Sequence, residues 1–178
     1  MRNNLNISIF GLGYVGLPLA IKLSNFFNVI GFEKNKQRIK ELKNFLDKNN
    51  EINSEQLKKS KLKYSTNIKD LKNSNIFIVT VPTPVTKSNQ PDLKSLLLAC
   101  KEIGKIISKG STVVFESTVY PGVTEEICGP QIKKYSNLIP GKDFNLGYSP
   151  ERMNPGDKVH SVDKITKVVS GDCNKTEL

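Results

Sequence analysis

The sequence predicts an α/β domain with a doubly wound, mostly parallel sheet and helices on both faces. Short apolar runs of strand length recur along the chain, and segments with helical spacing of apolar residues separate them. Strands that alternate with helices in this way are typical of parallel sheets buried on both sides. At 178 residues the chain is long enough for one such domain, so residues 1–178 are expected to form a single unit.

The first elements follow from local pattern. Residues 5–10 (LNISIF) form a predicted strand that runs into glycines, and residues 14–26 place apolar side chains at helical spacing. Residues 28–32 (NVIGF) are the second strand, and residues 35–47 carry apolar residues on one helical face. The segment 51–61 is polar and is expected to connect the next elements with about one helical turn.

The rest of the chain repeats the alternation. The apolar, β-branched runs NIFIVTV, STVVFES and ITKVVSG are typical of buried strands. The predicted elements are a short strand near Tyr64, a brief helix at 68–71, strand 75–81, a helix capped by Asp92 and running to 107, strand 111–117, helix 123–135, strand 144–149 and strand 165–171.

Composition excludes several classes of protein. No apolar run approaches the roughly 18 residues of a membrane helix, and the first residues do not resemble a signal peptide. Cys100, Cys128 and Cys173 form neither a metal-like pair nor an even disulfide set, so we expect no metal and a reducing cytoplasm. Cys100 lies on an apolar helix face and is expected in the core, and His160 has no partner of suitable spacing.

The net charge of +10 raises the question of nucleic-acid binding. The lysines are scattered among asparagines, without interleaved aromatic residues, as in KNKQRIKELKNF. This pattern favours solvated helix faces over a nucleic-acid patch, so no nucleic-acid partner is expected.

The stretch GLGYVG is a glycine motif with spacing G-x-G-x-x-G, directly after a strand and before a helix. Gly11 permits the tight turn, Gly13 allows close approach of a pyrophosphate, and Gly16 lets the helix lie close to the strand. Amides at the start of the helix would bind the phosphates. The motif alone is weak evidence, but strand, helix and a following acidic residue agree on a Rossmann-type dinucleotide site.

The acidic residue is Glu33, at the end of the second strand and about 20 residues past the glycines, as the fingerprint requires. Its carboxylate would accept hydrogen bonds from the ribose hydroxyls and repel a 2′-phosphate, which favours NAD over NADP. Lys34, Lys36 and Arg38 follow closely and would soften that preference. The alternative is that Glu33 is only a helix-start acid.

Two further motifs leave strands at the predicted carboxyl edge of the sheet. Thr83 lies between prolines in VPTP, and Thr118 follows Glu116 and Ser117 in ESTVYPG. Ligands of open α/β sheets lie outside this edge, so the hydroxyls are candidates to contact a cofactor or a substrate alcohol. A plain structural turn is the alternative for VPTP.

Together GLGYVGLPLA, VPTP, ESTVYPG and YSPERMNPGD, in this order and spacing, resemble the N-terminal domain of the UDP-glucose/GDP-mannose dehydrogenase family. The resemblance covers essentially the whole chain. It is strongest to the branch that oxidises UDP-N-acetylhexosamines, such as the Vi-polysaccharide dehydrogenases. These enzymes use two NAD to convert a sugar C6 alcohol to a carboxylate for capsule or O-antigen synthesis.

The resemblance implies roles for individual residues. Thr118 would organise the water that accepts the alcohol proton, and Glu151 would lie at the sugar C6 and assist the final hydrolysis. The charged loop of the YSPERMNPGD motif would form a wall of the sugar site. The implied cofactor contacts are Gly11, Gly13, Tyr14, Val15 and Gly16 at the pyrophosphate, Glu33 and Arg38 at the adenosine ribose, and Thr83 and Thr118 farther along; the implied sugar contacts are Glu151, Arg152, Met153 and Asn154.

The chain departs from the family pattern in two ways. UDP-glucose members have an aromatic-aliphatic pair after the glutamate and a second glutamate near Pro155, where this chain has Arg152 and Met153. The family's catalytic cysteine, lysine and asparagine lie on a downstream central helix and in a nucleotide-sugar domain, both absent from this chain, and Cys173 is in the wrong motif to substitute. A UDP-sugar would therefore bind between this domain and a missing half, and the full-length protein would be a homodimer.

Three alternatives stay open. The first is a catalytically silent NAD-binding sensor or scaffold. The second is a domain of a UDP-glucose or UDP-N-acetylmannosamine dehydrogenase, and the third is part of another hydroxyl dehydrogenase of the same lineage. The fragment alone is expected to bind NAD weakly and not to oxidise UDP-sugars.

Overall fold

The computed structural model describes residues 5–152 and 167–172. Its central feature is a seven-stranded sheet in the order β3-β2-β1-β4-β5-β6-β7. All neighbouring strands are parallel except β7, which runs antiparallel to β6. The strands are β1 (Asn6–Phe10), β2 (Asn28–Phe32), β3 (Lys63–Ser65), β4 (Ile76–Val79), β5 (Thr112–Phe115), β6 (Asn145–Tyr148) and β7 (Ser170–Gly171).

Helices connect the parallel strands. They are α1 (Gly16–Ser24), α2 (Lys36–Lys43), α3 (Ser54–Lys59), a 3₁₀ turn (Ile68–Leu71), α4 (Lys94–Gly104), a π-helical segment (Val123–Cys128) and α5 (Gly129–Ser136). No helix in the described ranges is both long enough and apolar enough to cross a bilayer.

The sheet is doubly wound because β1 pairs with β2 on one side and with β4 on the other. The chain therefore builds outwards first in one direction and then in the other. Such a reversal leaves a crevice beyond the carboxyl ends of the strands, where α/β proteins bind ligands. In this protein the crevice opens past Phe10 and Val79, which are register partners.

Two apolar cores cover the two faces of the sheet. Neighbouring side chains of β1 point into different cores. Ile9 belongs to the core under α1, α2 and α3, and Phe10 belongs to the core under α4 and α5. Both side chains are almost fully buried. Side chains of successive strand residues point to opposite faces, so a strand buried on both sides is continuously apolar. The predicted α/β fold is confirmed.

The helix predicted at 35–47 is shorter in the structure. α2 ends at Lys43, and Phe45 has a left-handed backbone with a φ of 58° that no α-helix continues through. The connection after it contains a complete short helix, α3, where about one turn was expected. Asn53 and Gln56 form a capping box at its start, a sequence signal that the prediction did not use.

Three other elements differ in detail. The helix predicted from Asp92 begins at Lys94, whose amide donates to the Asp92 carboxylate at 2.9 Å. The helix predicted at 123–135 begins as a π-helical segment after Gly122, which has a φ of 91°. Of the strand predicted at 165–171, only Ser170–Gly171 is a strand within the described residues, and it is antiparallel.

Candidate cofactor cleft

The glycine loop between β1 and α1 is fixed by contacts to its main chain. Gly11 has a φ of 93°, a conformation that favours glycine, and its amide donates to the Phe32 carbonyl at 3.0 Å. A Cβ built on Gly16 would overlap the Gly11 carbonyl and the Thr80 hydroxyl, so α1 lies too close for any side chain at this position. Both glycines are therefore required by the fold of the loop.

Gly13 differs from these two glycines. A Cβ built on Gly13 would meet no atom within 4 Å, so the loop opens into free space at this point. Among the described residues no side chain caps the start of α1 at Val15. The Leu17 amide donates to the Gly13 carbonyl at 3.1 Å and Pro18 has no N–H, so the amides left for another acceptor are those at the very start of the helix. An anionic group at the end of this helix would satisfy them and would interact favourably with the helix dipole.

Thr80 is a residue of the site that the sequence analysis did not identify. It follows β4, and its hydroxyl contacts the carbonyls of Phe10 and Gly11 at 3.0 and 2.9 Å. It therefore fixes the turn from the neighbouring strand. A threonine at the end of an apolar central strand was the available signal.

Glu33 lies at the end of β2, facing the glycine loop. Its Oε2 accepts from the Leu12 amide at 3.1 Å, and its Oε1 accepts from the Asn35 amide at 2.9 Å. A carboxylate has about four lone-pair sites, so acceptor capacity remains for ribose hydroxyls. The two backbone donors fix the carboxylate beside the loop, where sequence reasoning expected an acid.

Arg38 lies behind the glycine loop. Its Nε donates to the Leu12 carbonyl at 3.0 Å, and its Nη2 pairs with Asp47 at 2.7 Å. The two side chains are 10% and 0% exposed, and the Asp47 carboxylate also accepts from the amides of Asn49, Glu51 and Ile52. Arg38 therefore supports the loop from below, and its contact with an adenosine ribose stays a prediction.

A small cavity of about 200 Å³ lies beside Glu33, between the ends of β1, β2 and β4 and the face of α4. Its wall is mainly apolar and includes Phe32, Val81 and Leu98. Lys34 and Glu102 stand across its rim with charged atoms 3.7 Å apart. A mainly apolar cavity next to the acid that the sequence predicts for the ribose suits an adenine ring.

A larger cavity of about 530 Å³ extends from the glycine loop along the carboxyl edge of the sheet. It brings together most of the residues that the sequence predicted for the site. Those in its lining are Gly11, Gly13, Tyr14, Val15, Glu33, Thr83, Thr118 and Glu151, with Glu116 and Ser117 beside them. Gly16 and Arg38 lie behind the loop, and Arg152 is exposed outside this lining.

The two threonine motifs contact each other at the middle of this cavity. The Thr83 hydroxyl donates to the Thr118 carbonyl at 2.7 Å, and the Ser117 hydroxyl donates to the Val81 carbonyl at 2.9 Å. These bonds join the loops that follow β4 and β5. The Thr83 hydroxyl proton is thus directed at the protein, while the oxygen retains lone pairs for a donor.

Three charged side chains meet at the far end of the cavity. Lys167 Nζ lies 2.9 Å from Glu116 Oε2 and 3.8 Å from Glu151 Oε2. Burial raises the pKa of Glu116, and the positive charge of Lys167 opposes that effect. The other two predicted sugar contacts, Met153 and Asn154, lie outside the described residues, as do His160 and Cys173.

The remaining cysteines do not reach the cleft. Cys100 and Cys128 are free thiols with no exposed surface, as predicted for Cys100. A hydrogen bond between the Cys100 and Cys128 thiols, together with burial, raises the pKa of Cys100. Among the described residues no three histidine, cysteine, aspartate or glutamate side chains form a cluster able to hold a metal ion.

The geometry fits a dinucleotide. It provides an uncapped helix start beside Gly13, a fixed carboxylate at Glu33, an apolar slot for a base and a longer cavity for the second nucleoside. The fold and cleft therefore define a dinucleotide-binding domain of the Rossmann type.

Comparison with known proteins identifies the family. Residues 5–178 match the UDP-glucose/GDP-mannose dehydrogenase family, NAD binding domain. The chain belongs to this family, and NAD is the cofactor of this domain.

Protein CapL of Staphylococcus aureus is 55% identical over 168 residues, which are 94% of this chain and 40% of CapL. A UDP-N-acetyl-D-glucosamine 6-dehydrogenase of Pseudomonas aeruginosa is 50% identical over 169 residues, again 94% of this chain and 40% of the relative. The predicted resemblance to the UDP-N-acetylhexosamine branch is confirmed. The chain spans about two fifths of the length of these curated relatives.

Solved structures agree on the fold. The UDP-D-ManNAc dehydrogenase from Pyrococcus horikoshii superposes with a TM-score of 0.82 at 29% identity, covering 97% of this chain and 42% of that one. A ternary complex of GDP-mannose dehydrogenase from Pseudomonas aeruginosa gives a TM-score of 0.79 at 30% identity, covering 92% of this chain and 38% of that one.

Proposed function

We propose that this chain is the NAD-binding part of a UDP-N-acetylhexosamine 6-dehydrogenase, which oxidises the sugar C6 alcohol to a carboxylate with two NAD. The observation that carries the proposal is the cavity of about 530 Å³ that connects the glycine loop to Thr118 and Glu151. It offers a cofactor site at one end and hydroxyl and carboxylate groups at the other. Relatives at 50% identity and above include a UDP-N-acetyl-D-glucosamine 6-dehydrogenase.

Bound NAD supplies a hydride acceptor. Within this chain, Glu33 would hold the adenosine ribose and the start of α1 the pyrophosphate, with Arg38 supporting the loop beneath them. Thr118 would position the water that takes the alcohol proton. Glu151 would accept a proton from the water that attacks C6 in the final hydrolysis, which requires its ionised form.

Further groups must complete the site. Neither Cys100 nor Cys128 lines the cavity, because both are in the core. The thiol that holds the aldehyde in this family would therefore come from sequence beyond this domain, together with most contacts to the UDP-sugar. We propose that Arg152, Met153 and Asn154 contribute a wall of the sugar site, that the complete protein is a cytoplasmic homodimer, and that its product serves capsule or O-antigen synthesis.

A chimera tests the proposal. In it, this chain replaces the matching first two fifths of the Pseudomonas aeruginosa relative. We expect NADH formation from UDP-N-acetyl-D-glucosamine by the chimera and none by residues 1–178 alone. The matched control is a chimera with Thr118→Val, which keeps the shape of the side chain but loses its hydroxyl. A chimera that binds NAD but makes no NADH from any UDP-N-acetylhexosamine would contradict the proposal.

The alternative is a silent NAD-binding module, and the absence of a cysteine from the described lining of the cavity favours it. The same chimera separates the two functions. A silent module would bind NAD but would not support turnover when joined to the catalytic segments of a relative. NADH formation would exclude it.

A further inference from the structure

Lys167 reaches the cleft because β7 runs antiparallel to its neighbour β6. β7 pairs with β6 through Gly147 with Gly171 and Tyr148 with Ser170. Since the strands run in opposite directions, the residues just before Ser170 lie at the carboxyl end of β6. Lys167 therefore returns to the sheet edge at which Glu116 leaves β5 and Glu151 follows β6.

The contacts at this edge form a small charged group. Lys167 donates a hydrogen bond to Glu116 Oε2 at 2.9 Å, and its Nζ is 3.8 Å from Glu151 Oε2. The side chains of Glu116 and Glu151 are 8% and 7% exposed, and that of Lys167 is 23% exposed. Both carboxylates line the large cavity, and Lys167 is not part of that lining.

We propose that Lys167 is a positioning residue that holds Glu116 and Glu151 together as ionised carboxylates at the nicotinamide end of the cavity. The inference rests on the proposed function, because that function places a nicotinamide and a sugar C6 beside these carboxylates. Lys167 itself acts through its two partners and contacts no substrate.

Electrostatics supports this role. Two carboxylates that share a buried site repel each other, and without a cation one of them would take up a proton. Among the described residues, the charged side chains that act on Glu116 are Lys167 and Glu151, with opposite effects on its pKa. With Lys167 in place, the group carries two negative charges and one positive charge. When both carboxylates are ionised, the net charge of the group is therefore negative.

The consequence for function concerns protonation. Glu151 accepts a proton from water only when ionised, and a proton shared between Glu116 and Glu151 would block that step. The net negative charge also complements the positive ring of NAD⁺ better than the neutral ring of NADH. After removal of Lys167, the pair of carboxylates should take up a proton at higher pH than in wild type. The preference for NAD⁺ over NADH should therefore also change at higher pH.

The test is a pH titration of the glutamate carboxyl carbons by NMR in residues 1–178 with ¹³C-labelled glutamate. The variants are Lys167→Met and Lys167→Gln, with Lys167→Arg as the conservative replacement. Lys109→Met is the matched control, because Lys109 pairs with Asp143 at 3.0 Å at the amino edge of the sheet. Loss of the corresponding signal in Glu116→Gln assigns that carboxyl.

We expect the Met and Gln variants to raise the proton affinity of Glu116 at least tenfold, about one pH unit. The Arg variant should restore most of the wild-type value, and Lys109→Met should leave it unchanged. If the titration midpoints of Glu116 and of Glu151 in Lys167→Met or Lys167→Gln are the same as in wild type, the proposal is overturned.

A second readout uses the cofactor. The ratio of NAD⁺ to NADH affinity, followed by NADH fluorescence and competition, should change at higher pH in Lys167→Met than in wild type. The same pH dependence in both would also overturn the proposal. Failure of wild type to bind either form would contradict the proposed function instead, while the carboxyl titration would still report on Lys167.

Discussion

The two ends of the cleft are stabilised in different ways. At the glycine loop, the contacts include a backbone bond from Gly11 to Phe32, the Thr80 hydroxyl and the two amides that donate to Glu33. At the far end, side chains provide the charges, with Lys167 between Glu116 and Glu151. The first end is set by close approach of the main chain and by hydrogen bonds to it, and the second by balance of charge.

This difference indicates how each end responds to change. A site made by close approach of main chain tolerates no added volume, because the loop has nowhere to move. A site made by paired charges keeps its shape after substitution but changes its protonation. Steric variants should therefore damage the glycine-loop end, and pH should act on the end that contains Glu116 and Glu151.

The largest effect is expected below the glycine loop. Asp47→Ala removes the partner of Arg38, leaves a buried guanidinium unpaired and removes the acceptor for three amides. Breaking a buried pair in this way costs about 3–5 kcal/mol of unfolding free energy. Urea denaturation followed by circular dichroism measures it.

The matched control is Glu55→Ala, which breaks the exposed pair of Glu55 with Lys59, whose side chains are 73% and 76% exposed. Such pairs contribute about 0.5 kcal/mol or less. Similar losses for the two variants would show that Arg38 and Asp47 do not support the loop.

The next effect separates two glycines of one motif. Gly16→Ala places a methyl group against the Gly11 carbonyl and the Thr80 hydroxyl, so we expect a loss of about 3 kcal/mol in stability. Gly13→Ala meets only open space and should change stability by less than about 1 kcal/mol.

Gly13→Ala, which has the smaller effect on stability, is expected to have a direct effect on cofactor binding. Gly13→Ala should weaken NAD binding about tenfold or more without loss of fold, because its methyl group enters the space proposed for the pyrophosphate. Calorimetric titration with NAD measures this. An unchanged NAD affinity of Gly13→Ala would show that the pyrophosphate does not bind at the glycine loop.

A smaller effect is expected at Glu33. Glu33→Gln removes the charge and turns an NH₂ group towards one of the two amides that the carboxylate now accepts from. NAD affinity should fall about tenfold, or about 1.4 kcal/mol, and discrimination against NADP should shrink. Parallel titrations with NAD and NADP test it, and a variant with tighter NAD binding would contradict the assigned role.

The smallest effect tests the charged end through stability. Burial raises the pKa of Glu116 in the folded state above its ordinary value of 4.5. The folded state therefore binds protons more readily, and stability falls as pH rises from that value through the raised pKa. Glu116→Gln should match wild type in acid and be more stable at higher pH, by less than about 1 kcal/mol. If the unfolding free energy of Glu116→Gln and of wild type depends on pH in the same way, this prediction is contradicted.

Much of the fold followed from local pattern. Alternating apolar runs and helical spacing identified every parallel strand in the described ranges, and the glycine motif with Glu33 predicted the cleft that is the candidate cofactor site. These features succeed because each depends on short-range geometry. α3 was missed as a complete helix since only Leu57 of its six residues is buried, which leaves almost no apolar periodicity.

The parts that sequence did not predict depend on distant contacts. Thr80 contacts the glycine loop from 69 and 70 residues away, and Lys167 reaches Glu116 across 51 residues. Arg38 was assigned to the ribose by analogy, whereas the structure also pairs it with Asp47, a residue with no sequence signal. Long-range pairing of polar side chains has no period and no local motif.

We propose that NAD lies along the carboxyl edge of the sheet, from the glycine loop to Thr118. Titration of ¹⁵N-labelled residues 1–178 with NAD, followed by amide chemical shifts, tests it most directly. We predict the largest shifts at Gly13, Val15, Glu33 and Thr118. Shifts confined to the opposite edge, around the cavity lined by Asn6, Asn28 and Lys63, would contradict it.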